Sequence, residues 1–206
     1  MGKRSQQSNP TGLFFVLSGS SGAGKDAVLG RMKELGNPFY HVVTVTTRPR
    51  RNAEKDGVDY HFLSESRFQD MVQQGELLEW AQVYGNYYGV PKQQIRQALE
   101  EGRDAIVRVD VQGAATIKSL VPEAVLIFLT SASAKDLEER LRQRKTESGA
   151  EVELRIGSIE EEMKSLPIFD YVVVNRQGEL DTAVNVIASI ITAEKCRVHP
   201  RSVEIA

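Results

Sequence analysis

Four short apolar runs recur along the chain, at residues 13–17, 105–109, 125–129 and 171–174, each nearly unbroken by polar residues and most of them rich in Val and Ile. Unbroken runs of this length predict strands buried on both faces, as in a parallel sheet covered by helices on either side. The segments at residues 26–35, 92–101, 134–144 and 180–195 read as helices. Alternating strand and helix predicts a doubly wound, three-layer α/β core, in which ligands gather outside the carboxyl ends of the strands. Two stretches break the alternation. Residues 41–91 mix β-prone segments (41–47 and 59–62) with a short helical piece (67–74) and an aromatic, glycine-containing loop (84–89). Residues 141–166 are helical and highly charged with few residues to anchor them in a core, the texture of a solvated surface or of a mobile lid carrying cations. Residues 1–12 are polar and read as a flexible tail.

With 206 residues the chain can bury one full core with small inserted subdomains. A net charge of −2 supplies no basic field, so nucleic acid is not an expected partner. Cys196 is the single cysteine, which excludes an internal disulfide and a Cys/His zinc site and points to a reducing, cytoplasmic setting. No apolar run approaches the length of a membrane span, and the first dozen residues lack the apolar segment of a signal peptide, so no membrane partner is expected. No oligomeric state can be read from the chain.

The first apolar run leads into Gly19, Ser20, Ser21, Gly22, Ala23, Gly24 and Lys25, and a helical pattern follows. Strand, glycine-rich turn and helix in this order form a phosphate-binding loop. Glycines let successive backbone N–H groups point at phosphate oxygens, the helix N-terminus adds partial positive charge, and Lys25 reaches the outer phosphates of a nucleoside triphosphate. The next residue is Asp26, where Ser or Thr usually holds Mg²⁺. Residues 44–51 end a β-prone run with three arginines, Arg48, Arg50 and Arg51, within four positions. Such a cluster is either an exposed basic turn or a set of planar forks for a monophosphate. Glu79 precedes Trp80 in an aromatic segment. A carboxylate there can accept both donors on the edge of guanine, N1–H and the 2-amino group, while Thr44 donates to O6. Adenine, with an acceptor at N1, would be repelled. Asp110 ends the second core strand, placed to hold Mg²⁺, to orient a substrate, or to cap the next helix. Arg140, Arg144 and Arg155 lie on helices in or beside the charged stretch.

Taken together, the stretch from Thr46-Thr-Arg-Pro-Arg-Arg to Tyr60-His-Phe, the stretch from Gly75-Glu-Leu-Leu-Glu79 to Tyr88-Gly, and Asp110-Val-Gln-Gly behind the phosphate loop resemble the guanylate kinase family, over about residues 13–195. The resemblance implies a P-loop NTPase core (residues 13–40, 92–140 and 167–206), an inserted mixed α/β GMP-binding subdomain (41–91) and a helical lid (141–166). It implies transfer of the γ-phosphoryl group of ATP to GMP or dGMP, with Mg²⁺ accompanying ATP. Residues 19–26 would bind ATP, with Lys25 on its β- and γ-phosphates. Arg48, Arg51, Tyr60 and Tyr88 would hold the GMP phosphate, and Thr44, Glu79 and Asp110 would read guanine. Lys25, Arg48, Arg140, Arg144 and Arg155 would neutralise the transferring phosphoryl group, while Arg144 and Asn175 match positions bordering adenine. Four positions depart from the family pattern: Asp26, Val90 in place of a hydroxyl residue, Arg108 in place of an acid, and Lys145 in place of glycine. Asp26 and Arg108 are expected either to form an ion pair beside the metal or to leave Asp26 as a replacement metal ligand. The rival reading is a non-catalytic guanylate-kinase-like binding module. Lys25 and the arginines speak against it, as does the expectation that the chain is a stand-alone unit; the changes at 26 and 108 are its only support.

Overall fold

The computed structural model describes residues 12–83, 85–143 and 149–206. In chain order the elements are β1 (Phe14–Gly19), α1 (Lys25–Glu34), β2 (Tyr40–His41), β3 (Val45–Thr46), β4 (His61–Phe62), α2 (Glu65–Gln73), β5 (Leu77–Val83), β6 (Asn86–Pro91), α3 (Lys92–Glu100), β7 (Ala105–Arg108), α4 (Val111–Leu120), β8 (Val125–Thr130), α5 (Ala134–Arg142), α6 (Gly149–Lys164), β9 (Tyr171–Val174) and α7 (Leu180–Lys195). Five strands form an entirely parallel sheet in the order β2-β7-β1-β8-β9.

Alternation of side chains along β1 explains the three layers. Phe15 and Leu17 pack with Val28 and Met32 of α1, Leu137 of α5 and Ile187 of α7, while Phe14 and Val16 pack on the other face with Ile95 of α3 and Ile117 of α4. Residues 14–17 are therefore all buried, and the unbroken apolar run in the sequence has its physical cause.

A second sheet, β4-β3-β6-β5, is mixed: β3 runs parallel to β4, and β6 is antiparallel to β3 and β5. It has its own small core of Val45, Phe68, Met71 and Leu77. The main sheet takes in His41, which pairs with Ile106 through β2, so the inserted stretch joins the core at its first residue.

Helix α6 differs from the weakly anchored surface expected of residues 141–166. Val152 and Ile159 are buried in the main cluster, with Ile156 and Met163 packed against it. These four recur at helical spacing, and that apolar stripe, hidden among charges in the sequence, holds the helix down.

The chain end is also tied to the core. Glu194 on α7 is 2% exposed; it accepts from Tyr171 Oη at 2.6 Å and from Arg201 Nε at 2.9 Å. Arg201 also pairs with Asp170, and Val203 and Ile205 pack on the α3/α4 face. Replacing Glu194→Ala removes the acceptor of Tyr171 Oη and leaves the partly buried Arg201 with Asp170 alone, and should cost about 2 kcal/mol. Thermal unfolding should fall by several degrees, and limited trypsin digestion should cut at Arg201 before the rest of the domain.

Candidate active site

The loop between β1 and α1 starts flush against the neighbouring strand. Ser20 N donates to Leu129 O at 3.0 Å, and a Cβ on Gly19 would lie 2.0 Å from that same oxygen, at a φ of 127°. Only glycine fits there. Beyond the loop, Gly24 caps α1 in the left-handed region, so the first N–H groups of the helix open toward the turn. Ser21 N donates to Glu162 Oε2 at 2.8 Å, which places a carboxylate from α6 on the anion site of the loop. Burial raises the pKa of Glu162, while the Ser21 N–H and Lys25 oppose that shift. The Lys25 ammonium folds back onto the loop, donating to Gly19 O at 2.7 Å and Ser20 O at 3.1 Å.

Behind the loop, Asn175 is buried and its amide donates to Ala23 O at 2.8 Å; Arg140 donates to Asn175 O at 2.8 Å. These two side chains brace the loop from the side away from the cleft. Ser20 and Ala23 are fully buried.

The mixed sheet supplies the opposite wall. Arg48 donates from Nη2 to Glu54 Oε1 at 2.7 Å, and the same carboxylate accepts Arg51 N at 2.9 Å. Burial would raise the pKa of Glu54, but these hydrogen bonds hold its carboxyl below the usual range. The Tyr60 ring sits edge-on to Tyr88 at 6.1 Å, with the Arg48 guanidinium 5.5 Å from its centroid. Burial, with Tyr88 alongside, pushes the Tyr60 hydroxyl up to about 12, so it remains a neutral donor.

A β-bulge shapes the third corner. The β5–β6 register shifts between Leu77 and Glu79, and three consecutive residues become buried. Leu77 enters the small core, Leu78 the α3/α4 face of the main core, and Glu79 the cleft. The Glu79 carboxylate lies over the first turn of α4, where a Cβ on Gly113 would stand 3.1 Å from it. Asp110 caps that helix, accepting Gly113 N at 2.7 Å. Burial, then the Asp110 charge, pushes Glu79 up to about 7. Thr44, 7% exposed, lines the same corner.

At the seam between loop and cradle, Asp26 and Arg108 form an ion pair. Burial pushes the Arg108 guanidinium down to about 10, still charged at neutral pH. Val90 is buried in the core cluster, which accounts for an apolar residue at that position. Arg144 and Lys145 lie outside the described residues.

Lys25, Asp26, Arg48, Arg51, Tyr60, Tyr88, Thr44, Glu79, Asp110 and Arg155 all line one cleft of about 980 Å³, with Gly19, Ser21, Gly22 and Gly24 at its loop end. That volume is at the upper end for small-molecule sites. Arg140 and Asn175 act on the loop instead of lining the cleft. Sequence reasoning gave no role to Glu54 or Glu162. Glu54 was visible as a carboxylate three residues beyond an arginine cluster, but Glu162 is 141 residues from Ser21 and left no local signal.

A family profile described as guanylate kinase matches residues 12–194. The chain is 47% identical over 197 residues to "Guanylate kinase 2, chloroplastic/mitochondrial" of Oryza sativa subsp. japonica, covering 95% of this chain and 69% of that protein. It is 39% identical over 186 residues to the guanylate kinase of Carboxydothermus hydrogenoformans, covering 90% of each. Among solved structures, the guanylate kinase of Anaplasma phagocytophilum aligns with a TM-score of 0.76 at 29% identity, over 92% of this chain and 89% of that one.

The elevated Glu79 gives a stability test. Its folded value of about 7 lies above the ordinary 4.5, so the folded state binds the extra proton between those limits. The stability this carries is complete below pH 4.5 and is lost as pH rises through 7, a change of about 3 kcal/mol from the size of the shift. Glu79→Gln should therefore melt several degrees higher than the parent at pH 8 and nearly equally at pH 4.5, measured by calorimetry.

Proposed function

The chain belongs to the guanylate kinase family, and from that premise we infer that it transfers the γ-phosphoryl group of ATP to GMP, giving ADP and GDP. The observation that carries this reading is the convergence, in one cleft, of a phosphate loop, an arginine–tyrosine cradle and a buried carboxylate beside Thr44.

We assign the residues as follows. The loop N–H groups and Lys25 hold the β- and γ-phosphates of ATP, which requires Lys25 to leave Gly19 O and Ser20 O and Glu162 to leave Ser21 N. Arg48, Arg51, Tyr60 and Tyr88 hold the phosphate of GMP, with Glu54 keeping Arg48 splayed toward it. Ionised Glu79, with Thr44 and Asp110, reads guanine; dGMP, which differs only in the sugar, is an acceptor too. Arg140 and Asn175 support the loop, and Arg155 and Arg144 neutralise the transferring group from the lid, residues 141–166. The GMP phosphate is already an anion and needs no strong base, so these residues act by alignment and by charge neutralisation. Closure of residues 41–91 and the lid over the cleft excludes water that would otherwise hydrolyse ATP.

Among the described residues no group of three or more His, Cys, Asp or Glu is placed to hold a metal. Mg²⁺ is ordinarily bound by substrate phosphates with one or two carboxylates, and Asp26, with a side chain 71% exposed beside the loop, fits that donor set. Bound there, Mg²⁺ would offset negative charge on the outer phosphates of ATP. The lone cysteine accords with a cytoplasmic setting.

ADP formation from ATP and Mg²⁺, with GMP, dGMP, AMP, CMP and UMP offered separately, tests the assignment. Turnover is expected with GMP and dGMP alone; binding of GMP without turnover would instead make the chain a binding module. Lys25→Met should fold normally and lose turnover by about 100-fold or more. Near-normal rates in that variant would remove Lys25 from its role. Glu79→Gln should lower kcat/KM for GMP far more than for AMP, and an equal effect on both would remove Glu79 from base selection.

A further inference from the structure

Arg108 ends β7 and pairs in register with Leu17 of β1, just before the phosphate loop begins. Its guanidinium meets two parts of the site at once. One is Asp26 on the first turn of α1; the other is the Tyr60 ring, whose centroid lies 4.9 Å away. Arg48 lies 5.5 Å from that same centroid, so one ring carries a guanidinium from the acceptor cradle and a guanidinium that reaches back to the loop.

The partners of the ion pair are unequal. The Arg108 side chain is 21% exposed and the Asp26 side chain 71%. A largely shielded guanidinium requires an anion, whereas a carboxylate facing water is a weak tether. A phosphate group brings more charge and three acceptor oxygens in the geometry a guanidinium fork matches. Both walls of the cleft are built to deliver phosphates to this seam: the loop those of the donor, the cradle that of the acceptor.

We propose that Arg108 is a further substrate-binding residue of the transfer reaction, paired with Asp26 as here and turned onto the phosphates where donor and acceptor meet once both nucleotides are bound. The proposal rests on the phosphoryl-transfer reading above. The departures at positions 26 and 108 then form one unit: the carboxylate on the loop is what keeps the strand-end guanidinium in place between turnovers. Holding a guanidinium at the seam adds a third positive group from outside the lid, beside Lys25 and Arg48.

The test uses the full-length protein and an analogue in which adenosine and guanosine are joined through five phosphates, so that donor and acceptor sites fill together. Calorimetric titration of the parent and of Arg108→Gln with the analogue, and separately with GMP alone, isolates the seam. Arg108→Gln should bind the analogue about 30-fold or more weakly and turn over about 100-fold more slowly, while GMP alone changes by less than about 3-fold. Arg108→Lys, which keeps the charge without the fork, should regain part of the loss. Analogue affinity within about 3-fold of the parent would overturn the proposal. So would an equal loss for GMP and analogue, which would confine Arg108 to packing against Tyr60. A parent protein that neither turns over GMP nor binds the analogue would bring down the transfer reading itself, and this proposal with it.

Discussion

A cleft built to receive two polyanions must hold its cations and donors, partly withdrawn from water, when those anions are absent. Removing a charge from water costs several kcal/mol unless a partner replaces the hydration. That constraint accounts for most of the polar architecture described here. Lys25 folds onto the carbonyls of its own loop, Ser21 N–H takes the Glu162 carboxylate, Arg48 takes Glu54 and Arg108 takes Asp26. In each case the partner is an oxygen of the protein, a backbone carbonyl for Lys25 and a carboxylate for the other three. The charged groups of the cleft are therefore held in place by the protein itself.

The parallel sheet makes this economy of position available. Its strand order sets β1, β7 and β8 side by side, so the loop after β1, Arg108 at the end of β7 and the Leu129 carbonyl of β8 converge at one edge. Gly19 is packed too closely against β8 to carry a side chain, which anchors the turn where the helix dipole of α1 can act. The inserted mixed sheet, with a small core of its own, carries Arg48, Tyr60 and Tyr88 to the cleft. Function and stability conflict at Glu79 under the proposed function: burial destabilises the folded chain above neutral pH, while the proposed reading of guanine needs the ionised form. Gly113 resolves the steric side of that conflict by leaving room for the carboxylate over α4.

Much of this was legible in the sequence because it is encoded locally. The four core strands follow from runs of apolar residues, and β9 and α7 have the bounds that the pattern gives. The loop follows from glycines between strand and helix. That Thr44, Arg48, Arg51, Tyr60, Glu79, Tyr88 and Asp110 line one cleft follows from motifs with little freedom in spacing. The Asp26–Arg108 pair was foreseeable as a compensated change of charge, although its Tyr60 contact was not.

What the chain determined alone was the order of its elements, the identity of the phosphate loop and the family to which the pattern belongs, since backbone propensity, hydrophobic period and turn chemistry act over a few residues. Tertiary structure decided which long-range partners the charges take. It brought Glu162 to Ser21, set Asn175 and Arg140 behind the loop, and seated α6 through Val152 and Ile159. It also turned three consecutive residues of β5 toward three different surroundings through one bulge. Those outcomes depend on distances between segments far apart in sequence, and a side chain's partner is settled only when packing fixes which of many oxygens comes within reach.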